Sequence, residues 1–357
     1  MVDRMGTIEE NVRETSVYLD KILAGRKELF REAVKKPYTH IIITGSGSSY
    51  FASLSAADYM QKYMQIPVTA LYPYQLEEMI PADPAGTLLI GVSQSGTSLS
   101  TARVMEEGKK KGCLTASMSG VDDSGTIINK YADYILTVNC GEEADLQSKT
   151  KGVICTTANL MLFALEWAAA HEKVSKAEYE NAVNAYKDTV ENMHVIIDDA
   201  AQWIEVHGSV FANSQDIKLV GTPNLAGVVG EGSLKLSETL RCPVFGGVFE
   251  EFIHGYYNAV NTGTLLVLID DGTEKKMPVF ADVLSEYAGN VVVEGADVTG
   301  ALDFKVRTKG HRDYEMFEYM LWIYMICYRV ACMKGVDISQ PLDPLFHAKL
   351  GSKILRS

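Results

Sequence analysis

The chain has 357 residues, with 33 Lys and Arg against 46 Asp and Glu and a formal net charge of −13, a field that repels a nucleic-acid backbone. Hydrophobic residues at 47% and charged residues at 22% fit an ordinary globular protein, and the length exceeds one average core, so two domains or one duplicated unit are expected. The opening Met1-Val2-Asp3-Arg4 has no apolar core and leads into a charged stretch over 9–36, which argues against a signal peptide.

The elements follow in chain order. Ile8, Val12, Val17, Leu19, Ile22, Leu23, Leu29 and Phe30 recur at helical spacing and predict one or two leading helices over 7–35. Short apolar runs at 40–44, 67–71, 88–93, 114–119 and 134–138 then alternate with helical segments at 49–64, 98–111 and 124–131. That alternation predicts a parallel sheet covered on both faces. Two long helices, 153–171 and 175–206, follow without a strand between them. A second alternation begins near 208–217, with strands at 217–220, 265–269, 290–293 and 304–306 and helices at 225–240, 274–287 and 313–333. The segment 242–251 reads as an apolar loop whose Val244, Phe245, Val248 and Phe249 suit either a subunit contact or core packing. The pattern predicts an α/β duplication: leading helices over 1–36, a first unit with connector helices over 37–207, a second over 208–340 and a tail over 341–357. The helix over 317–333 is the most apolar, but it contains Glu318 and Arg329 and is too short to span a bilayer, so it reads as core and no membrane partner is expected.

Two turns carry the first chemical signal. Gly45-Ser46-Gly47-Ser48-Ser49 follows Ile41-Ile42-Ile43, and Ser93-Gln94-Ser95-Gly96-Thr97-Ser98 follows Leu88-Leu89-Ile90-Gly91-Val92. A strand that stops at a small, hydroxyl-rich turn and enters a helix points backbone N–H groups and hydroxyls at one place, with the positive end of the helix dipole behind them. This is a phosphate cradle. A dinucleotide fingerprint would need a third glycine where Tyr50 stands, and no Gly-Lys-Ser/Thr follows either glycine run, so nucleotide readings fit poorly. The second alternation lacks such serine clusters.

Glu231, Lys235 and Glu238 lie four and three residues apart and share a helical face, which by itself reads as a solvated ion-pair ladder. The six cysteines form no Cys-x-x-Cys pair and no matching His spacing, so neither a zinc site nor a disulfide frame is suggested. They read as buried thiols in a reducing cytoplasm.

Ser93-Gln94-Ser95-Gly96, the Gly-Ser-Ser turn, Glu231-Gly-x-Leu-Lys235-Leu-x-Glu238, Glu251-x-x-His254-Gly255 and Lys334-Gly335-x-Asp337-x-x-Gln340-Pro341 occur in order. In these motifs the chain resembles the SIS (sugar isomerase) family, in particular the isomerase half of glucosamine-6-phosphate synthase and the fructosamine-6-phosphate deglycases. The resemblance runs from about residue 41 to 341. It implies a tandem of two doubly wound, flavodoxin-like SIS units with added helices. It also implies that Ser49, Ser93, Gln94, Ser95 and Ser98, with Ser48 alongside, hold a sugar phosphate, and that Glu238 is the general base moving a proton between the first two sugar carbons. His254 matches the histidine that opens the sugar ring, which in relatives enters from a neighbouring subunit, so a homodimer or higher oligomer is implied. Lys349 either matches the tail lysine that forms an imine with the keto sugar or is a charged tail residue. Lys151, after Ser148-Lys149-Thr150, resembles the family's Ser-Thr-Lys and would flank the ligand, as would Glu231 and Lys235.

Moving a proton beside a carbonyl or imine calls for a partly desolvated carboxylate, and a histidine can relay protons near neutral pH; no metal or other cofactor is required. No glutaminase segment with an N-terminal cysteine stands in this sequence, so ammonia production from glutamine is not expected. The implied activity is cleavage of a phosphorylated amino-sugar adduct into hexose phosphate and amine. A stand-alone phosphosugar isomerase and a non-catalytic phosphosugar sensor are the alternatives.

Overall fold

The computed structural model describes residues 7–81, 84–121, 125–143 and 148–352. After helix α1 (Ile8–Leu29) the chain runs β1 (His40–Thr44), α2 (Ser48–Met64), β2 (Val68–Leu71), α3 (Pro73–Met79), β3 (Thr87–Val92), α4 (Leu99–Lys111), β4 (Leu114–Met118) and β5 (Tyr134–Ile135). The five strands form one parallel sheet ordered β2-β1-β3-β4-β5. Every residue of β3 is buried, as expected where helices cover both faces of a parallel sheet.

Helices α5 (Lys151–Ala170), α6 (Lys176–His207) and α7 (Ser209–Ala212) lead to β6 (Asp216–Gly221), α8 (Ala226–Leu240), β7 (Val244–Val248), α9 (Phe249–Phe252), β8 (Thr264–Asp270), α10 (Met277–Ser285), β9 (Asn290–Gly295) and β10 (Phe304–Lys305). Helices α11 (Glu315–Met333) and α12 (Phe346–Leu350) end the described chain. The second sheet is ordered β10-β9-β8-β6-β7. Counting its strands from β6, that is the order 2-1-3-4-5 of the first sheet, so the duplication read from the sequence is present strand for strand. Residues 7–16, 148–150 and 185–339 form the compact unit around the second sheet, and the other described residues form the unit around the first.

In the first unit α5 packs along α2, and nearly all its residues are buried. Among the described residues α5 alone is long and apolar enough to cross a membrane, and its burial makes it a core helix. The sequence pointed instead to 317–333, which lies in α11 and is also core. In the second unit α11 packs on α8, and Trp203, Phe211, Phe304 and Trp322 meet in edge-on and stacked pairs at 5.0–6.3 Å.

Several local expectations are corrected. The apolar loop 242–251 is an edge strand and a short helix: β7 pairs in parallel with β6, and Phe249 is buried in the core with Phe252, Leu266 and Met277. Gly246-Gly247 interrupts the alternation that would have marked the strand. Helix α3 was not anticipated, because Pro73 reads as a breaker although it is well suited to a first helical turn. The helix expected over 124–131 is a 3-10 turn at Asn129–Tyr131, its first residue lying outside the described ones, and the strand over 134–138 shortens to two residues. None of the six cysteines is in a disulfide, but Cys332 is exposed and Cys242 half-buried.

Glu294, near the end of β9, is fully buried and neither carboxyl oxygen has a hydrogen-bond partner. Burial pushes its pKa well above the usual carboxylate range. A group raised in the folded state contributes stability that is fully present below its unfolded value of about 4.3 and is lost as pH climbs through the folded value. Glu294→Gln is therefore expected to match the wild type near pH 4 and to gain on it as pH rises, by about 1.4 kcal/mol for each pKa unit of displacement. Urea midpoints from pH 4 to 8 check this, and parallel curves would remove the assignment.

Candidate active site

The turns after β1 and β3 lie against each other. A Cβ on Gly45 would sit 2.8 Å from the Ser49 Cβ and 2.9 Å from the Val92 carbonyl oxygen, so only glycine allows this approach. Strand order reverses between β1 and β3, where open α/β sheets bind ligands beyond the strand ends. Ser93 is buried, Ser48, Ser49 and Ser98 are half-buried, and Ser95 is exposed with its hydroxyl 2.7 Å from that of Thr97. Helix α2 begins at Ser48 without a side-chain cap, whereas Ser98 caps α4 by accepting from the Thr101 N–H and hydroxyl at 3.4 and 3.0 Å. Both carboxylate oxygens of Glu143 cap α5, accepting from the N–H groups of Lys151 and Gly152 at 2.8 and 2.9 Å. Of these three helix starts, α4 and α5 carry a side-chain cap from Ser98 and Glu143, whereas the N-cap of α2 is Gly47, which makes no side-chain cap bond.

Gln94 turns inward. Its amide donates to the Cys140 sulfur at 2.8 Å and accepts from the Thr156 hydroxyl at 3.3 Å, so in this structure it props the turn. Lys151 is buried; its ammonium donates to the Glu142 carbonyl at 3.1 Å and lies over the Tyr18 ring. Replacing Ser93 and Ser95 together by alanine is expected to weaken sugar-phosphate binding by roughly 1.5–3 kcal/mol per charge-assisted bond lost. Calorimetry with hexose 6-phosphate reads this, and unchanged affinity would move the phosphate elsewhere.

The corresponding turn of the second unit, after β8, is filled by its own acid. Asp271 accepts from the Thr273 N–H at 2.9 Å and from the Asn224 amide at 3.1 Å, and lies 3.7 Å from Arg312. Burial alone would raise its pKa, but the hydrogen bonds from Thr273 and Asn224 outweigh this and hold it below the usual range. An internal carboxylate thus takes the donors that serine turns offer in the first unit.

Helix α8 carries the second half of the predicted chemistry, and the solvated-ladder reading fails there. Glu231 and Lys235 are fully buried because α8 faces α11. The Lys235 ammonium donates to Glu238 Oε2 at 2.7 Å and lies 3.7 Å from Glu231 Oε1. Burial would lower the Lys235 pKa, yet the charges of Glu231 and Glu238 hold it above its ordinary value. The Tyr324 hydroxyl donates to Glu231 Oε1 at 3.3 Å. The buried Ser148 hydroxyl donates to Glu238 Oε2 at 2.8 Å. One oxygen of Glu238 is therefore fixed by two donors, and the side chain remains 35% exposed: an oriented carboxylate with its other oxygen available for proton transfer. Ser148 and Tyr324 were not singled out from the sequence; the Ser148-Lys149-Thr150-Lys151 likeness drew attention only to Lys151.

His254 is exposed in the segment after α9, where its N–H donates to the Glu251 carbonyl at 3.2 Å. Lys349 is exposed on α12 and paired with Asp343 at 2.5 Å. Among the described residues no group of three His, Cys, Asp or Glu side chains is placed to hold a metal ion.

The SIS domain model matches residues 36–166. A solved structure from Clostridium difficile 630, provisionally named a phosphosugar isomerase, is 38% identical, covers 98% of this chain and 100% of its own, and superposes with a TM-score of 0.94. A protein of Salmonella typhimurium LT2, provisionally named a sugar binding protein, is 35% identical over 90% of this chain and 98% of its own, with a TM-score of 0.82. The glutamine–fructose-6-phosphate aminotransferase (isomerizing) of Caldanaerobacter subterraneus subsp. tengcongensis is 24% identical over 92% of this chain and 54% of its own length. The chain spans about half the length of the curated relatives it matches. With two full-length relatives above 30% identity and the matching duplicated topology, this chain belongs to the SIS domain family.

Proposed function

We propose that this chain is a phosphosugar-processing enzyme that cleaves a sugar 6-phosphate from an amine at its first or second carbon. The observation that carries the reading is the Glu238 carboxylate, fixed through Oε2 by Lys235 and Ser148, since a sensor needs a phosphate cradle but no oriented base. For an adduct with the amine on the first carbon and a ketone on the second, Glu238 takes the first-carbon proton and the second carbon is then protonated. The carbon–nitrogen bond becomes an imine, water adds to it, and the bond breaks to release the amine and an aldose 6-phosphate. The Ser49, Ser93, Ser95 and Ser98 turns anchor the phosphate, and the exposed His254 opens the sugar ring, acting between subunits of a homodimer.

Aldose–ketose isomerisation is the second reading, favoured by the isomerase names among the relatives; it uses the same proton transfer and stops before water adds. Incubating the protein with hexose-6-phosphate amine adducts and with free aldose and ketose 6-phosphates separates the two. Amine and hexose phosphate released in equal amounts support cleavage, interconversion of the free sugars alone supports isomerisation, and tight binding without turnover of any of them would leave the sensor.

A further inference from the structure

Gln94 stands between Ser93 and Ser95, and its side chain enters a slot made by later parts of the same compact unit. Gly120 forms one wall: a Cβ there would lie 2.4 Å from Gln94 Nε2 and 3.2 Å from the Cys140 sulfur. Gly152, in the first turn of α5, forms the other, where a Cβ would lie 2.7 Å from Gln94 Nε2 and 2.8 Å from the Glu143 carboxylate. Neither glycine has a positive φ, so each leaves room rather than making a turn. At the closed end Nε2 donates to the Cys140 sulfur at 2.8 Å. Oε1 lies 3.3 Å from the Thr156 hydroxyl, whose proton is shared with the Gly152 carbonyl at 2.7 Å. Cys140 is buried, and burial pushes its thiol pKa up. The sulfur therefore keeps its proton, donates to the Gly141 carbonyl at 3.5 Å and accepts from the amide.

The main chain of the turn is tied to the end of β4 at two points. The Ser93 N–H donates to the Met118 carbonyl at 3.0 Å, and the Gly120 N–H donates to the Gln94 carbonyl at 2.9 Å. Two ties leave a segment free to pivot about the line that joins them, and a third tie off that line removes the pivot. We propose that Gln94 is a positioning residue for the phosphate turn, its side chain acting through the slot of Gly120, Gly152, Cys140 and Thr156 and not on the phosphate itself. The seated amide fixes the angle at which Ser93 and Ser95 present their hydroxyls. Hydroxyls already held at one angle need little ordering when the anion arrives, and that raises affinity. This rests on the phosphosugar reading of the turn.

The test uses the full chain carrying Glu238→Gln, so that a bound sugar is not converted, and calorimetry with hexose 6-phosphate. Gly120→Ala displaces the amide with little loss to the fold, because the atom its Cβ meets most closely is the end of a flexible side chain. It is expected to weaken binding by about 3–10-fold, the range of one net hydrogen bond. Gln94→Ala is expected to weaken it equally, and the double variant to bind within about twofold of either, since both changes empty the same slot. Cys140→Ala should reproduce the loss, and Cys140→Ser, which restores an acceptor, should recover most of it; if Gly120→Ala does not fold, Cys140→Ala takes its place in the cycle. Unchanged or tighter binding in Gly120→Ala, losses that multiply in the double variant, or equal losses in the two Cys140 variants overturn the positioning role alone. If hexose 6-phosphate fails to bind while the turn is unaltered, the phosphosugar reading falls and this role falls with it.

Discussion

Glu238→Gln is expected to keep hexose-6-phosphate affinity within about twofold while lowering turnover by two or more orders of magnitude, the usual worth of a positioned general base. The amide keeps the shape of the carboxylate, and its oxygen can still accept from Lys235 and Ser148, which both bond Oε2. What it loses is the second oxygen's ability to take a proton. Ser148→Ala separates orientation from chemistry: the base remains but loses one of its two fixing donors, so turnover should fall by less than in Glu238→Gln with little change in affinity. Steady-state kinetics with the substrate found in the adduct screen reads both. Full activity in Glu238→Gln would remove Glu238 from the chemistry.

Lys235→Ala is expected to destabilise the fold by about 3–5 kcal/mol, the typical loss when one partner of a buried ion pair is removed and the other stays buried. Glu231 is the partner left behind, with 0% exposure, and Lys235 is only 2% exposed. The double variant Lys235→Met with Glu231→Gln should recover much of that loss, because the uncompensated charge is gone. Urea unfolding of the two variants measures the difference. If Lys235→Ala unfolds at the wild-type midpoint, the buried pair is not held as described.

The alternating rhythm of this chain made both sheets legible, because parallel strands buried on two faces leave short continuous runs such as Ile41-Ile42-Ile43 and Leu265 to Ile269 between helical segments. Strand β7 escaped because Gly246-Gly247 removes side chains where the pattern needs them, and α3 because proline is both a breaker and a good helix start. The serine turns were visible as glycine and hydroxyl clusters, and the Gly45 contact shows why they converge. The burial of Glu231 and Lys235 was not legible: an i,i+4 acid–base pair looks the same on a wet face as on a dry one, and only the packing of α11 on α8 decides. Ser148 was hidden for another reason, since its partner Glu238 lies ninety positions away and a serine between a glutamine and a lysine carries no mark of such a bond.

The repeated strand order has a kinetic side. Every pairing in both sheets is parallel, so no hairpin can nucleate either one and each contact must close a crossover before it is rewarded. While those loops close, the chain holds two sets of Val-, Ile- and Leu-rich strands, with the same topology calling for each. A strand such as β8 can then be captured by the half-formed sheet of the other repeat, a domain-level misassembly typical of repeated units. Refolding should therefore show a slow phase that shortens when either half is already folded, and yields that drop as the chains are released from denaturant together rather than one repeat at a time.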